Sequence, residues 1–308
     1  MKIYDNIEQL IGKTPLLRLN NIKNHLGLKG NVLVKLESFN PAGSVKDRAA
    51  LFMINDAENR GVLSKGGTII EPTSGNTGIG ISMIAAHRGY KAILVMPNSM
   101  SLERIKLLKA YGAEVVLTDG KLGMKGAIDK ANEIQKTTPN SFIVGQFENP
   151  SNIDAHYHTT AREIIEDIDG KIAAFVAGVG SGGTISGTGK FFKETNPKIK
   201  VVGVEPADSP LISKGQSGAH KIQGIGANFI PKNFKSDFVD EIIDVSFEDS
   251  KKAVKLLAER EGVLVGVSSG ASLSVAIKLA NLDEFKDKNI VALLPDTGDR
   301  YLSTDLFD

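Results

Sequence analysis

Cysteine is absent from the sequence, which excludes disulfide bonds, thiolate metal sites and cysteine nucleophiles. The sequence also has no excess of charge of either sign, because its 37 lysines and arginines and its 36 aspartates and glutamates give a net charge of +1. This balance argues against a nucleic-acid partner and against a membrane-surface protein. Residues 1–8 contain no apolar signal core, and no later run is long enough to span a bilayer. We therefore expect a soluble cytoplasmic protein.

The 308 residues suit two domains, or one large domain with a lobe. Short β-branched runs alternate with longer amphipathic ones. Strands are predicted at 32–36, 68–71, 92–96, 114–117, 142–144, 173–177, 201–204 and 290–294. Helices are predicted between 44 and 61, at 78–88, 102–111, 124–136 and 159–168, from 184, within 247–261, and at 272–281. This alternation predicts an α/β fold with parallel sheets covered on both faces and ligands at the carboxyl ends of the strands. Residues 208–246 are predicted to be loops that line or cover a site.

Lys46 follows a turn marked by Pro41 and Gly43, and Ser44 is a good N-cap for the helix predicted next. Lys46 therefore falls in the first turn of a helix, where the positive end of the helix dipole disfavours a charged ammonium. An amine that loses its proton more easily is a better nucleophile, which a Schiff-base lysine requires. Taken alone, the residue is more simply interpreted as a surface lysine balanced by Asp47.

The first of three polar loops that follow strands is Thr73-Ser74-Gly75-Asn76-Thr77-Gly78. It offers three hydroxyls, one amide and several backbone N–H groups at the start of a helix, which together suit a small carboxylate. The alternative is an ordinary strand-to-helix turn with a good N-cap. Because the loop contains only polar residues and glycine, with no charge, we favour a ligand site.

The second loop is Gly178-Val179-Gly180-Ser181-Gly182-Gly183-Thr184, again between a strand and a helix. Its glycines let the backbone approach a phosphate closely at the positive end of a helix dipole. A phosphorylated cofactor fits, and so does a dinucleotide, because Glu205 closes the next strand where a Rossmann acid would bind a ribose. A nicotinamide oxidoreductase is therefore the competing interpretation.

The third loop is Gly266-Val267-Ser268-Ser269-Gly270, and its serines are predicted to cap the helix that follows.

His156 and His158 lie two residues apart, which does not place both on one helix face, and no carboxylate cluster completes a metal site. We interpret both histidines as structural or surface residues and expect no metal.

Together with Lys46, the three loops resemble the cysteine synthase/cystathionine β-synthase family of fold-type II pyridoxal phosphate enzymes. Within that family the chain is similar to enzymes of the cysteine synthase (O-acetylserine sulfhydrylase) type. The resemblance runs nearly end to end. Its motifs occur at 11–16, 41–48, 71–78, 100–104, 145–150, 178–184, 220–227, 268–270 and 298–304.

The resemblance implies that Lys46 holds pyridoxal phosphate as a Schiff base and then acts as acid and base on the substrate α-proton. It implies that Ser268 faces the pyridine nitrogen, where a hydroxyl makes the ring a weaker electron sink than a carboxylate would and so favours β-elimination. The implied cofactor-binding residues are Lys46, Asn76, Gly180, Ser181, Gly182, Gly183, Thr184 and Ser268. The implied residues for the substrate carboxylate are Thr73, Ser74, Gly75, Thr77 and Gln146.

Asn228 departs from the family pattern, which has a small residue, often glycine, at this position near the site entrance. We include Asn228 among the candidate substrate-binding residues, because an extra amide there would broaden or redirect the choice of second substrate. Neutral drift in a tolerant loop is the alternative.

The implied fold is two-lobed and α/β, like the tryptophan synthase β subunit, with a mostly parallel twisted sheet flanked by helices in each lobe. Residues 1–40 and 151–308 would form the larger lobe, which binds the cofactor phosphate. Residues 41–150 would form a smaller mobile lobe with the Schiff-base lysine and the substrate-carboxylate loop.

The expected reaction is β-replacement on a 3-substituted L-alanine, in which O-acetyl-L-serine and sulfide give L-cysteine and acetate via an α-aminoacrylate. The alternative is hydrogen-sulfide-producing β-replacement on L-cysteine, giving lanthionine, cystathionine or serine. A catalytically silent binding protein of the same fold is a further possibility. The implied partners are small amino-acid substrates, a second copy in a homodimer, and the C-terminal tail of serine acetyltransferase.

Overall fold

The computed structural model describes residues 3–73, 75–98 and 102–308, so the predicted site residue Ser74 lies outside the described residues. The strands are β1 (Leu16–Arg18), β2 (Asn31–Leu36), β3 (Thr68–Pro72), β4 (Lys91–Pro97), β5 (Glu114–Thr118), β6 (Ser141–Ile143), β7 (Ala174–Gly178), β8 (Lys200–Pro206), β9 (Glu241–Val245) and β10 (Asn289–Leu294). The α-helices are α1 (Asn20–Leu26), α2 (Lys46–Asn59), α3 (Asn76–Arg88), α4 (Leu102–Ala110), α5 (Gly123–Thr137), α6 (Ser151–Ala155), α7 (Ala161–Asp167), α8 (Gly183–Thr195), α9 (Leu211–Lys214), α10 (Phe247–Glu261) and α11 (Val267–Ala280). A π-helical turn, His156–Thr160, joins α6 to α7. Short 3₁₀ turns occur at Ile7–Leu10, Glu37–Phe39, Gly120–Leu122, Ser236–Phe238, Asp283–Phe285 and Gly298–Tyr301.

The chain divides into two compact units. Unit 1 comprises the described residues of Met1–Ile11 together with Lys46–Asn152, and unit 2 comprises Gly12–Val45 and Ile153–Asp308. The boundaries fall a few residues from the predicted lobe boundaries, and residues 3–11 belong with unit 1 rather than with the remainder of 1–40. The roles assigned to the two lobes, and the mobility of the smaller one, stay predictions.

Unit 1 contains a four-stranded parallel sheet in the order β5-β4-β3-β6. β3 is an interior strand, because Ile70 pairs with Ile93 of β4 on one side and with Ile143 of β6 on the other. Four of its five residues are buried, as expected for a parallel strand with both faces covered. The loop after Pro72 therefore leaves the interior of the sheet at its carboxyl edge, where α/β folds bind ligands.

Unit 2 contains a six-stranded sheet in the order β1-β2-β10-β7-β8-β9, parallel throughout except for the antiparallel pair β1 and β2. Phe175 and Val291 belong to one hydrophobic cluster, whereas their chain neighbours Val176 and Ala292 belong to another. Since successive side chains of a strand point to opposite faces, both faces of this sheet are covered. Gly178 ends the interior strand β7, and the glycine loop starts there.

The predicted α/β class with mostly parallel sheets is confirmed, and α10 has the predicted bounds. The prediction that 208–246 forms only loops was wrong, because this stretch contains α9 and all of β9. The helix predicted at 159–168 was also placed too late, because helical structure begins at Ser151 and includes the π turn. None of the helices in the described residues is long and apolar enough to cross a membrane.

Candidate active site

Lys46 is the first residue of α2 and is half-buried, which confirms its predicted place in the first turn of a helix. Gly80 of α3 packs directly on this turn: a Cβ added there would lie 3.2 Å from the carbonyl oxygen of Lys46 and 3.3 Å from the Cα of Asp47. Contacts this short leave little room for a larger residue at position 80. The close packing of α3 on α2 therefore fixes the backbone of Lys46 relative to the loop that opens α3.

Side chains cap few of the backbone N–H donors in the loop before α3. Gly75 is the N-cap, in an extended conformation with φ −110°, and no side chain caps the helix. The N–H of Gly75 donates to the hydroxyl of Thr73 at 3.2 Å. The hydroxyl of Thr77 donates to Oε1 of Gln146 at 2.6 Å. Because the first N–H groups of a helix have no intrahelical partner, this 13-residue helix opens with donors suited to a carboxylate.

Unit 1 thus brings together Thr73, Gly75, Thr77 and Gln146, and it also contains Lys46 and Asn76, the first residue of α3. Thr73, Thr77 and Gln146 are all buried. Sequence reasoning did not single out Glu71, a buried acid at the end of β3 that contacts the Gln146 segment. The sequence feature that could have identified Glu71 is a single charged residue in an otherwise apolar predicted strand, directly before the candidate ligand loop at 73–78.

The glycine loop of unit 2 needs its glycines for close backbone contact. Gly182, the N-cap of α8, has φ +87°, and a Cβ there would lie 2.6 Å from the backbone nitrogen of Phe234. A Cβ at Gly180 would overlap the carbonyl oxygen of Gly224. No side chain caps α8, so its first N–H groups, with the hydroxyls of Ser181 and Thr184, form a donor set that fits a phosphate at the positive end of the helix dipole.

His156 supports this loop, a role that the sequence analysis missed. The ring is buried, with Nε2 3.2 Å from the hydroxyl of Thr184 and Nδ1 2.9 Å from that of Thr160. Hydroxyls both donate and accept, so either neutral tautomer makes both bonds. His156 opens the π turn, a feature frequent at functional sites. It is structural as expected, but its partner is a predicted phosphate-binding residue.

Ser268 is the second residue of α11 and is buried. The prediction that the serines of the third loop cap this helix was wrong, since Gly266 is the N-cap and no side chain caps α11. Gly224, with φ +94°, packs on Ser268, because a Cβ there would lie 3.4 Å from the serine hydroxyl. The Gly224 segment therefore contacts both the glycine loop, at Gly180, and Ser268.

Asn228 has φ +61°, a left-handed conformation that glycine and asparagine tolerate best. Asn228 therefore occupies a backbone conformation that a glycine would also adopt without strain. Its Oδ1 accepts a hydrogen bond of 2.8 Å from the hydroxyl of Ser209.

Glu205 does not resemble a free ribose-binding acid. Both of its carboxylate oxygens accept backbone N–H groups in α9, from Ile212 at 2.8 Å and from Ser213 at 2.9 Å. The carboxylate is buried and holds the start of that short helix. The main support for a nicotinamide enzyme is thereby removed.

Known proteins resemble this chain over nearly its whole length. The family model for pyridoxal-phosphate dependent enzymes matches residues 7–296. Cysteine synthase B of Campylobacter jejuni is 52% identical over 307 residues, covering 100% of both chains. A crystal structure of cysteine synthase from Entamoeba histolytica has a TM-score of 0.96 at 43% identity, covering 99% of this chain and 91% of that one. A crystal structure of a hydrogen sulfide-producing enzyme from Fusobacterium nucleatum has a TM-score of 0.93 at 45% identity, covering 97% and 100%.

These matches confirm the fold class and the cofactor that the sequence resemblance implied. They extend over both units, because the family model begins in the 3₁₀ turn Ile7–Leu10 and ends after β10. The chain belongs to the pyridoxal-phosphate dependent enzyme family.

Proposed function

We propose that this protein catalyses β-replacement on a 3-substituted L-alanine, in which O-acetyl-L-serine and sulfide give L-cysteine and acetate. The observation that carries the proposal is the arrangement in unit 1, where Lys46 opens α2 and α3 packs directly on its backbone. The N-terminus of α3 then offers uncapped N–H groups and the Thr77–Gln146 pair for a substrate carboxylate. Full-length similarity to cysteine synthases supports the same reaction.

The residues present fit pyridoxal phosphate. In the proposal, Lys46 holds the cofactor through its amine, Asn76 donates to the ring oxygen, Ser268 faces the pyridine nitrogen, and residues 180–184 bind the phosphate. When bound, pyridoxal phosphate withdraws electrons from the substrate α-carbon and so makes the α-proton acidic. An uncharged hydroxyl at position 268 limits this withdrawal, which favours loss of a β-leaving group over transamination.

The chain's own residues then move one proton. Thr73, Thr77 and Gln146 orient the substrate through its carboxylate, and Nζ of Lys46 accepts the α-proton. The bond between Cβ and the ester oxygen of O-acetyl-L-serine breaks, and acetate leaves with the electron pair. Sulfide supplies the pair for the new Cβ–S bond, and Nζ returns the proton to Cα. The substitution is therefore balanced without an oxidant or a reductant.

A second candidate is hydrogen-sulfide-producing β-replacement on L-cysteine. The similarity to the Fusobacterium nucleatum hydrogen sulfide-producing enzyme favours it, as does the amide of Asn228 at a position where the family usually has a small residue. The two reactions share Lys46 and the carboxylate donors and differ in leaving group and nucleophile. The cytoplasmic location, the homodimer and the serine acetyltransferase partner stay predictions.

The test is the visible absorption spectrum of the purified protein. We expect a cofactor band that shifts when O-acetyl-L-serine is added, with L-cysteine and acetate formed once sulfide is present. Lys46→Ala should abolish the shift, whereas Lys65→Ala, at an exposed lysine of the same unit, should not. A stronger response to L-cysteine, with sulfide released, would favour the second candidate. A protein that stays colourless with added pyridoxal phosphate would contradict both.

A further inference from the structure

Glu71 is a buried carboxylate at the carboxyl end of the interior strand β3, with 1% of its surface exposed. Its Oε2 accepts the backbone N–H of Gly145 at 2.8 Å, and its Oε1 accepts that of Gln146 at 3.3 Å. Gly145 has φ +68°, a conformation that favours glycine. Within the described residues, Glu71 has no ion-pair partner. Two consecutive peptide N–H groups therefore converge on one buried acid.

A glutamine at position 71 cannot make both of these contacts. Only a carboxylate presents two acceptor oxygens with no donor, whereas glutamine presents one oxygen and an NH₂ group. Burial disfavours the charged form and raises the pKa of Glu71 to about 7, although hydrogen bonds from Gly145 and Gln146 lower it. The fold thus retains a group whose ionisation is unfavourable. Such a group at the end of a strand beside a ligand loop is a candidate for a functional role.

The segment held by Glu71 carries Gln146. The backbone of Gln146 is fixed on both sides, because its N–H donates to Glu71 and its carbonyl oxygen accepts from Nδ2 of Asn152 at 2.8 Å. Its side chain then lies against the first turn of α3, where Oε1 accepts the hydroxyl of Thr77 at 2.6 Å. A continuous set of hydrogen bonds runs from Glu71 through Gln146 to Thr77.

We propose that Glu71 is a positioning residue for the substrate carboxylate: it holds the Gly145–Gln146 backbone so that Gln146 and Thr77 together form the subsite. This inference rests on the proposed function, since it assumes that the N-terminus of α3 binds an amino-acid carboxylate. Glu71 acts through Gln146 and takes no part in the movement of the α-proton.

The first test is Glu71→Gln, measured in the holoenzyme. One peptide N–H then faces an NH₂ group, so we expect the KM for O-acetyl-L-serine to rise about tenfold while kcat changes less than about threefold. The KM for sulfide should stay the same. The matched control is Glu205→Gln, which alters another buried carboxylate with two consecutive N–H donors and should leave the KM for O-acetyl-L-serine unchanged. Equal losses in both KM values, or a loss in kcat alone, would overturn the proposal.

A double-mutant comparison separates positioning from general damage. In a Gln146→Ala background, Glu71→Gln should have little further effect on KM, because the two residues act in series. If the two effects multiply instead, Glu71 does not act through Gln146. Should Glu71→Gln fail to fold, Glu71→Asp provides the same comparison, since it keeps the charge but withdraws the carboxylate by one methylene. An unchanged KM in Glu71→Asp would also contradict the proposal.

Ligand binding gives a readout besides turnover. L-Alanine has the α-carboxylate but no leaving group on Cβ, so its dissociation constant can be titrated through the cofactor band. We expect about tenfold weaker L-alanine binding in Glu71→Gln, with the unliganded band unchanged. If the wild-type protein binds L-alanine but makes no L-cysteine, the proposed reaction fails while the positioning role is still tested. If it makes L-cysteine and the variant binds L-alanine normally, only the positioning role fails.

Discussion

His156 and Thr184 are joined by a hydrogen bond of 3.2 Å between Nε2 of the ring and the threonine hydroxyl. Thr184 is the second residue of α8, in the loop whose backbone amides suit a phosphate. His156 is itself held by Thr160 within the same π turn. The orientation of a hydroxyl in the proposed phosphate site therefore depends on a buried ring that lies 28 residues earlier in the chain.

We predict that His156→Ala weakens cofactor binding without abolishing it. Loss of one hydrogen bond that orients Thr184 should raise the dissociation constant of pyridoxal phosphate about tenfold. The measurement is titration of cofactor into protein from which it has been stripped. His158→Ala is the matched control, because His158 is exposed and two residues away. Equal cofactor affinity in the two variants would show that the His156–Thr184 bond has no effect on the phosphate site.

His156 and His158 show that residue spacing does not predict contacts between distant parts of the chain. Their spacing of two argued against a shared metal, but spacing cannot reveal that one ring is buried against a loop far along the chain. The same limit applies to residues 3–11. Glu8 forms a bidentate ion pair with Arg88, at 2.6 and 2.7 Å, across 80 residues, which helps explain why that segment belongs with unit 1.

Local signals were more informative. The helix predicted at 78–88 ends directly before Gly89, whose φ is +73°, because a left-handed residue closes the last turn. The glycine loop and Lys46 were recognised from contiguous residues, and both lie at helix N-termini. Strand β9 was missed because its pairing with β8 depends on tertiary contacts, and its own five residues, Glu241–Val245, include two acids.

We predict that Gly182→Ala is far more damaging than an alanine at an open helix end. Gly182 combines φ +87° with a Cβ position 2.6 Å from the backbone of Phe234, so both the conformation and the backbone contact must change. We expect at least about 3 kcal/mol of lost stability, together with loss of bound cofactor. Gly262→Ala, at φ +70° with nothing within 4 Å, should cost only about 1 kcal/mol. Thermal melts of both variants, with cofactor content measured alongside, check this. Equal melting temperatures would contradict the packing argument.

The buried carboxylate of Glu71 predicts a pH-dependent stability difference. Its folded-state pKa of about 7 lies above the ordinary value of 4.5, so between these pH values the folded protein binds a proton that the unfolded chain does not. The protonated Glu71 therefore makes its full contribution to the free energy of unfolding below pH 4.5. This contribution, about 3 kcal/mol in total, is lost as the pH rises through about 7.

Glu71→Gln has no such proton to lose. From pH 5 to pH 8, the melting temperature of the wild-type protein should fall by about 5 °C relative to that of Glu71→Gln, both saturated with cofactor. Glu71→Gln, which we expect to bind the substrate carboxylate more weakly, should thus become the relatively more stable protein at high pH. A constant difference across this range would mean that the pKa of Glu71 is not raised by burial.

Asn228 allows a direct test of whether its amide selects the second substrate. Asn228→Gly keeps the left-handed conformation at φ +61° while removing the amide, and Ser209→Ala removes the same hydrogen bond while keeping the amide. If the amide contacts the incoming nucleophile, Asn228→Gly should change the ratio of kcat/KM for sulfide to that for an amino-acid thiol by about threefold or more, since one hydrogen bond to that group is gained or lost. Ser209→Ala should change this ratio less, because the amide is still present. If the residue only shapes the loop, the two variants should instead show the same small change with every nucleophile, because both lose only the Ser209 contact. The comparison therefore separates a specificity role from neutral drift without depending on which of the two reactions the protein prefers.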